Sequence, residues 1–228
     1  MSKKTKISIK QNAKGTPLLK AIFLEGRLPL RYKYLLGIKK TFGDIYNENQ
    51  WGSGSGVGSL PENTKSYRIF LEDFMKKRKI KSVLDIGCGD WQFSKFIKWD
   101  DINYTGFDIV RSVIKSNKRK YSKKNIQFYE CDILKCKKIP DADLVILKDV
   151  LQHWPNKTIT SFLPKLKKFK YVLLINDYSN YKTNKNIKIG EWRSLHLNKK
   201  PFNLKAKRIY LFHGKEVLLI TNDLKNKK

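Results

Sequence analysis

The sequence predicts a three-layer α/β/α domain: a mostly parallel sheet, a C-terminal antiparallel hairpin, and a helical N-terminal extension. Three observations carry this. Val83, Leu84 and Ile86 form a short apolar run, the signature of a strand buried on both faces. That run ends in Gly87-Cys88-Gly89, a tight turn where backbone can approach a ligand closely. The last two apolar runs, Arg208 to Phe212 and Val217 to Thr221, are joined through His213-Gly214-Lys215-Glu216 and pair as a hairpin.

The elements follow in order. Residues 1–60 form a basic extension; Met1 to Lys20 carries six lysines and no acid. Short helices are expected at Pro17–Leu24 and Tyr32–Phe42. Between them and the core, Trp51-Gly52-Ser53-Gly54-Ser55-Gly56-Val57-Gly58-Ser59 combines alternating glycines with a tryptophan. Trp51, Tyr46 and Ile45 want burial, so the stretch is read as a cover over a site rather than a linker. Residues 61–224 form the main domain. Tyr67, Phe70, Leu71, Phe74 and Met75 recur at helical spacing within Thr64–Lys79. A helix is expected to open at Trp91 or Gln92, after the glycine turn. Ile102–Phe107 is the second strand and Arg111–Lys124 a basic helix. Ile126–Glu130 is the third strand, Ala142–Leu147 the fourth, Asn156–Phe169 a helix despite Pro164, and Tyr171–Ile175 the fifth strand. Residues 178–206 are irregular and basic, with Glu191 the single acid. Residues 225–228 are a tail.

An acid, Asp108, ends the second strand 19 residues after Gly89. In nucleotide-binding α/β folds an acid there accepts hydrogen bonds from ribose hydroxyls. Asp85, Gly87 and Gly89 resemble the first motif of class I S-adenosyl-L-methionine (SAM) dependent methyltransferases; Trp91 stands where that motif has a third glycine. Cys131-Asp132-Ile133 resembles the acid and apolar residue that meet the adenine there. Lys148-Asp149-Val150-Leu151-Gln152-His153-Trp154 resembles the family's segment facing the methyl group and its acceptor. Residues 45–59, through Trp51-Gly52 and Ser55-Gly56-Val57-Gly58-Ser59, resemble an Asn-x-x-Trp-Gly...Ser-Gly-x-Gly-Ser segment of a little-characterised bacterial and viral group of such proteins.

The resemblance implies a Rossmann-like methyltransferase fold and SAM as cofactor. It implies cofactor contacts at Asp85, Gly87, Cys88, Gly89, Asp108, Asp132, Ile133, Lys148 and Trp51; Arg68, off the apolar stripe of its helix, either reaches the methionine carboxylate or is an exposed charge. His153, with an ordinary pKa of ~6.5, is the candidate base, or else packs beside the cofactor. Asp149 is a second base or an orienter. Trp192, Arg193 and His196 are the candidate acceptor contacts, unless residues 178–206 are a plain surface loop.

Composition sets further bounds. Three cysteines form no disulfide framework and fit a reducing compartment, so a cytoplasmic location is expected. No apolar run approaches the ~20 residues of a membrane helix. Cys131 and Cys136 lack further ligands at metal spacing, so no metal is expected. The net charge of +29 attracts polyanions, but abundant Lys, Asn and Ile also follow from compositional drift. A nicotinamide dehydrogenase is disfavoured, because Gln92 occupies the third position of Gly-x-Gly-x-x-Gly and the sheet ends in a hairpin. The absence of an Asn-Pro-Pro-Tyr-like segment disfavours amino-group methylation, and the absence of a cysteine in the loops after strands four and five disfavours cytosine C5 chemistry. The expected function is methyl transfer to an oxygen of a sugar, a nucleotide-linked compound, a glycan or another small acceptor. The alternatives are an RNA methyltransferase and a non-catalytic SAM-fold protein that binds RNA.

Overall fold

The computed structural model describes residues 30–136, 138–179 and 184–223, and the chain divides into two compact units, 1–37 and 38–228. The expected helix at Pro17–Leu24 and the terminal tails lie outside the described residues. Helix α1 (Leu30–Asn47) and helix α2 (Lys65–Lys77) precede the sheet. Then come β1 (Ser82–Ile86), β2 (Asn103–Asp108), α3 (Arg111–Tyr121), β3 (Ile126–Glu130), β4 (Leu144–Lys148), α4 (Asn156–Phe162), β5 (Tyr171–Asp177), β6 (Lys207–Phe212) and β7 (Lys215–Thr221).

The sheet has the order β3-β2-β1-β4-β5-β7-β6. Strands β1 to β5 are parallel, and β7 runs antiparallel to both β5 and β6. This is the Rossmann-like three-layer sheet with its closing hairpin that the apolar runs imply. Strand β4 shows why both faces are covered. All five of its residues are buried; Leu144 and Ile146 join one apolar cluster, Val145 and Leu147 the other. Side chains alternate between faces at period two, so a continuous apolar run requires a layer on each side. Helix α2 supplies Tyr67, Leu71, Phe74 and Met75 to the first cluster, and α4 supplies Ile159 and Phe162 to the second. Each such side chain contributes ~1.5–3 kcal/mol on burial.

Three expectations need correction. No α-helix opens at Trp91: a turn leads to a single 3-10 turn at Ser94–Phe96. Trp91 sits in the left-handed region at φ 62, where bulky residues rarely lie. Ring contacts of 5.0–5.5 Å with Tyr121, Phe128 and Tyr104 hold it in the core. The glycine turn therefore lacks a helix terminus aimed at a ligand. Second, the helix from Asn156 stops at Phe162 and continues as a 3-10 helix, Leu163–Lys168, because Pro164 has no N–H for an α-helical bond. Third, the hairpin loop is only His213-Gly214, both at positive φ (43 and 70), the geometry of a two-residue turn matched to strand twist. That places Lys215 and Glu216 inside β7.

Candidate active site

The carboxyl ends of β1, β2 and β4 open onto one cavity of about 350 Å³, within the ~300–1,000 Å³ of small-molecule sites. Its floor is the glycine turn. Gly87 N–H and Cys88 N–H donate to the Phe107 carbonyl at 2.7 and 3.0 Å, tying the turn to β2. The Asp108 carboxylate accepts from Gly89 N–H at 3.0 Å and from Val110 N–H at 2.9 Å. Burial nevertheless pushes its pKa up to about 6, with these amides opposing the shift. A carboxylate has ~4 acceptor positions, so Asp108 keeps capacity for ligand hydroxyls. Asp85, also raised to about 6 by burial, accepts from Tyr104 O–H at 2.7 Å.

Asp132 and Ile133 line the cavity beyond β3. Asp132 Oδ1 accepts from Leu134 N–H at 3.1 Å. Its Oδ2 is buried without a hydrogen-bond donor, and the nearest charge is Lys135 Nζ at 3.5 Å. A buried acceptor left open in a cavity suits an incoming N–H. An acid with acceptor capacity to spare at the end of β2, an open acceptor at Asp132 and the apolar Ile133 are groups that the adenosine part of SAM would fit.

Residues 45–59 form a wall over the glycine turn. Ser55 O–H donates to Asp90 Oδ1 at 2.6 Å, so Tyr46 O–H, at 2.7 Å, donates to Ser55. Asp90 N–H returns a bond to Ser55 Oγ at 2.9 Å. A Cβ on Gly89 (φ 55) would lie 2.2 Å from Ser55 Oγ. Glycine at this position therefore serves the approach of the wall, not only of a ligand. Trp51, Ser55, Gly56, Val57 and Gly58 all line the cavity. Trp51 lies 5.0 Å from the His153 ring and Tyr46 lies 5.6 Å from Trp51, while Phe42 meets His153 edge-on at 6.5 Å.

At the β4 end, Asp149 adopts φ 59 and sits between two lysines. Lys148 Nζ is 2.6 Å from Asp149 Oδ2, and Lys215 Nζ is 2.7 Å from Oδ1. Lys148 also donates to the Gly58 carbonyl at 2.8 Å, binding the wall to the sheet. Burial alone would raise the Asp149 pKa, but the two ammonium groups bring it below the usual carboxylate range. Such a carboxylate is a poor base. Burial lowers the His153 pKa to about 4, so the ring is neutral at pH 7. The Glu191 carbonyl, 3.1 Å from Nδ1, can only accept. Nδ1 therefore carries the proton and Nε2 keeps a free lone pair.

Among the other expected site residues, Asp85, Gly87, Cys88, Gly89, Lys148 and Trp192 line the cavity, and Trp192 is 56% exposed at its mouth. Three residues do not line it. Arg68 donates to the Pro61 carbonyl at 3.2 Å and covers Phe96, so it points along its own helix start instead of toward a ligand. Arg193 is buried on the Gln152 and Trp154 carbonyls and Asn156 Oδ1, where it pins the loop after β4. His196 is buried, its backbone N–H and carbonyl both bonded to the Asn184 side chain. Lys215 is the main residue that sequence reasoning missed. A lysine directly after a hairpin turn gives no local signal of burial.

A family model described as Methyltransferase domain matches residues 77–215. No curated protein matches the chain by sequence. Among solved structures, DhpI in complex with SAH is 13% identical, covering 84% of this chain and 98% of its own, with TM-score 0.60. Magnesium protoporphyrin IX methyltransferase from Synechocystis PCC 6803 with bound SAM is 14% identical, covering 82% and 97%, with TM-score 0.57. The methyltransferase domain of bacterial CtHen1-CN is 15% identical, covering 69% and 98%, with TM-score 0.54. At these identities the likeness carries the fold.

Proposed function

The chain belongs to the methyltransferase-domain family and is a SAM-dependent methyltransferase; on that premise we propose that its acceptor is an oxygen of a small molecule. The class intended is a sugar, a nucleotide-linked compound or a comparable metabolite. The observation that carries this is the wall of residues 45–59. Its bonds to Asp90 and to Lys148 leave a small chamber, closed on one side and aromatic at its β4 end. A polymer would need a groove open along its length. The likeness of this wall to the segment of the bacterial and viral group supports placing the protein there.

When bound, SAM supplies a methyl group on a sulfonium. Asp108 would accept the ribose hydroxyls, Asp132 the adenine amine, and Ile133 would cover the ring. The residues then hold acceptor and donor in line, which accounts for most of the rate in a direct displacement. The wall excludes water. His153 Nε2, unprotonated at pH 7, would accept a hydrogen bond from the acceptor hydroxyl and orient its oxygen toward the methyl group; with a pKa of about 4 the ring is a weak base, so the hydroxyl proton would leave to solvent rather than stay on His153.

RNA as acceptor is favoured by a separate observation, the net charge of +29. Transfer of labelled methyl from SAM into a fractionated lysate separates the two readings. Label in nuclease-resistant small molecules or glycans is expected; label in a nuclease-sensitive fraction would overturn the small-acceptor reading. Asp108→Ala is expected to weaken SAH binding by about 100-fold, the worth of a charge-assisted hydrogen-bond pair, and to abolish label. Unchanged SAH affinity in that variant would remove Asp108 from the site.

A further inference from the structure

We propose that Lys215 and Lys148, joined through Asp149, form a seat for one anionic group, a phosphate or carboxylate, carried by the methyl acceptor. The inference rests on the reading above that the acceptor occupies the β4 end of the cavity.

The charge count comes first. Two ammonium groups face one carboxylate, and the side chains of Lys148, Lys215 and Asp149 are only 4%, 9% and 15% exposed. Of the neighbouring acids, only Glu216 is ion-paired, with Arg208; Asp177 accepts from the Ser179 and Ser194 hydroxyls, and Asp85 accepts from Tyr104 O–H while its charge favours the charged form of Lys148. The two ammonium groups share one directly bonded carboxylate, Asp149, and a further anion between them would be held by charge-assisted hydrogen bonds.

The donor count agrees. An ammonium carries three N–H donors. Among the described residues Lys215 Nζ bonds only to Asp149 Oδ1, and Lys148 Nζ bonds to Asp149 Oδ2 and the Gly58 carbonyl. Lys215 therefore has two donors unused and Lys148 has one, in a cavity both residues line. Burial holds the Lys148 pKa down, and the charge of Lys215 pushes it the same way. Asp149 opposes both, and an incoming anion would act in the same direction. The overall charge of +29 would concentrate anionic metabolites around the protein.

Topology identifies which molecule carries the anion. The acids that suit adenosine stand at the ends of β2 and β3, on one side of β1. Lys215 enters from β7, on the far side of β4 and β5. The seat thus lies at the end of the cavity remote from the adenosine.

Inorganic phosphate titrated calorimetrically into SAH-saturated protein tests the seat. Wild type is expected to bind phosphate, Lys215→Met at least about tenfold more weakly (one lost charged hydrogen bond), and Lys215→Arg within a few-fold of wild type. Retained SAH binding shows that each variant is folded. No phosphate binding by the SAH complex, or equal binding by Lys215→Met, would overturn the proposal. The source of the anion is read by comparing SAH with 5′-methylthioadenosine, which lacks the amino-acid carboxylate. Their affinity ratio is expected to be unchanged in Lys215→Met. A selective fall for SAH would assign the seat to the cofactor's carboxylate and overturn the acceptor assignment. Failure of wild type to bind SAH at all would instead count against the cofactor site.

Discussion

The end of the cavity proposed for adenosine and the β4 end are built by different means. The first uses short-range logic. Asp85, Gly87, Gly89, Asp108 and Asp132 lie within one run of the chain, each at the carboxyl end of a strand or just after it. Its acids mostly accept backbone N–H groups, so the loops themselves fix their positions. The second end is assembled from distant pieces: Trp51 and Gly58 from the wall, Asp149 and His153 after β4, Trp192 from the long loop, Lys215 from the hairpin. It is held by charge and ring packing. An end fixed by backbone bonds near strand termini tolerates little change, whereas an end assembled from loops can vary without disturbing the sheet.

The sharpest way to break this contrast is to remove the charge between the lysines. Asp149→Ala leaves Lys148 and Lys215 buried and opposed, and breaking a buried pair in this way costs ~3–5 kcal/mol. Urea denaturation at pH 7 measures it. A loss below ~1 kcal/mol would show that charge does not organise the β4 end.

Acidification gives the next largest effect. His153 has a folded pKa of about 4 against an ordinary 6.5. Between those values the unfolded chain binds the extra proton, so its contribution is complete above pH 6.5 and falls as pH drops toward 4. From pH 7.5 to pH 5 wild type should lose roughly 2 kcal/mol more stability than His153→Gln. Paired urea curves at the two pH values test this; parallel losses would mean the imidazole is solvated and not packed against Trp51. The smallest effect belongs to Trp192, at the mouth. Trp192→Ala should change stability by less than ~0.5 kcal/mol while raising the acceptor's KM. An unchanged KM would take the mouth residue out of acceptor binding.

Much of the fold was legible in the sequence because its signals are local. Strand runs, the glycine turn and the acid after the second strand depend on near neighbours and on period-two burial. The missing helix at Trp91 was not legible. Whether a chain continues as a helix there depends on Tyr104, Tyr121 and Phe128 drawing the indole into the core. Arg193 and His196 looked like acceptor contacts because they are polar residues in a long loop. Their partners, the Gln152 and Trp154 carbonyls and Asn184, turn them into internal braces.

The strands of the sheet and the glycine turn and acids at their ends are legible in the amino-acid pattern, because strand runs and turns are local signals. Only the tertiary structure decided that residues 45–59 cover the glycine turn and that Lys215 meets Asp149 across 66 residues. Burial and pairing of charges depend on which distant segments exclude water from one another, and no local pattern of residues encodes that.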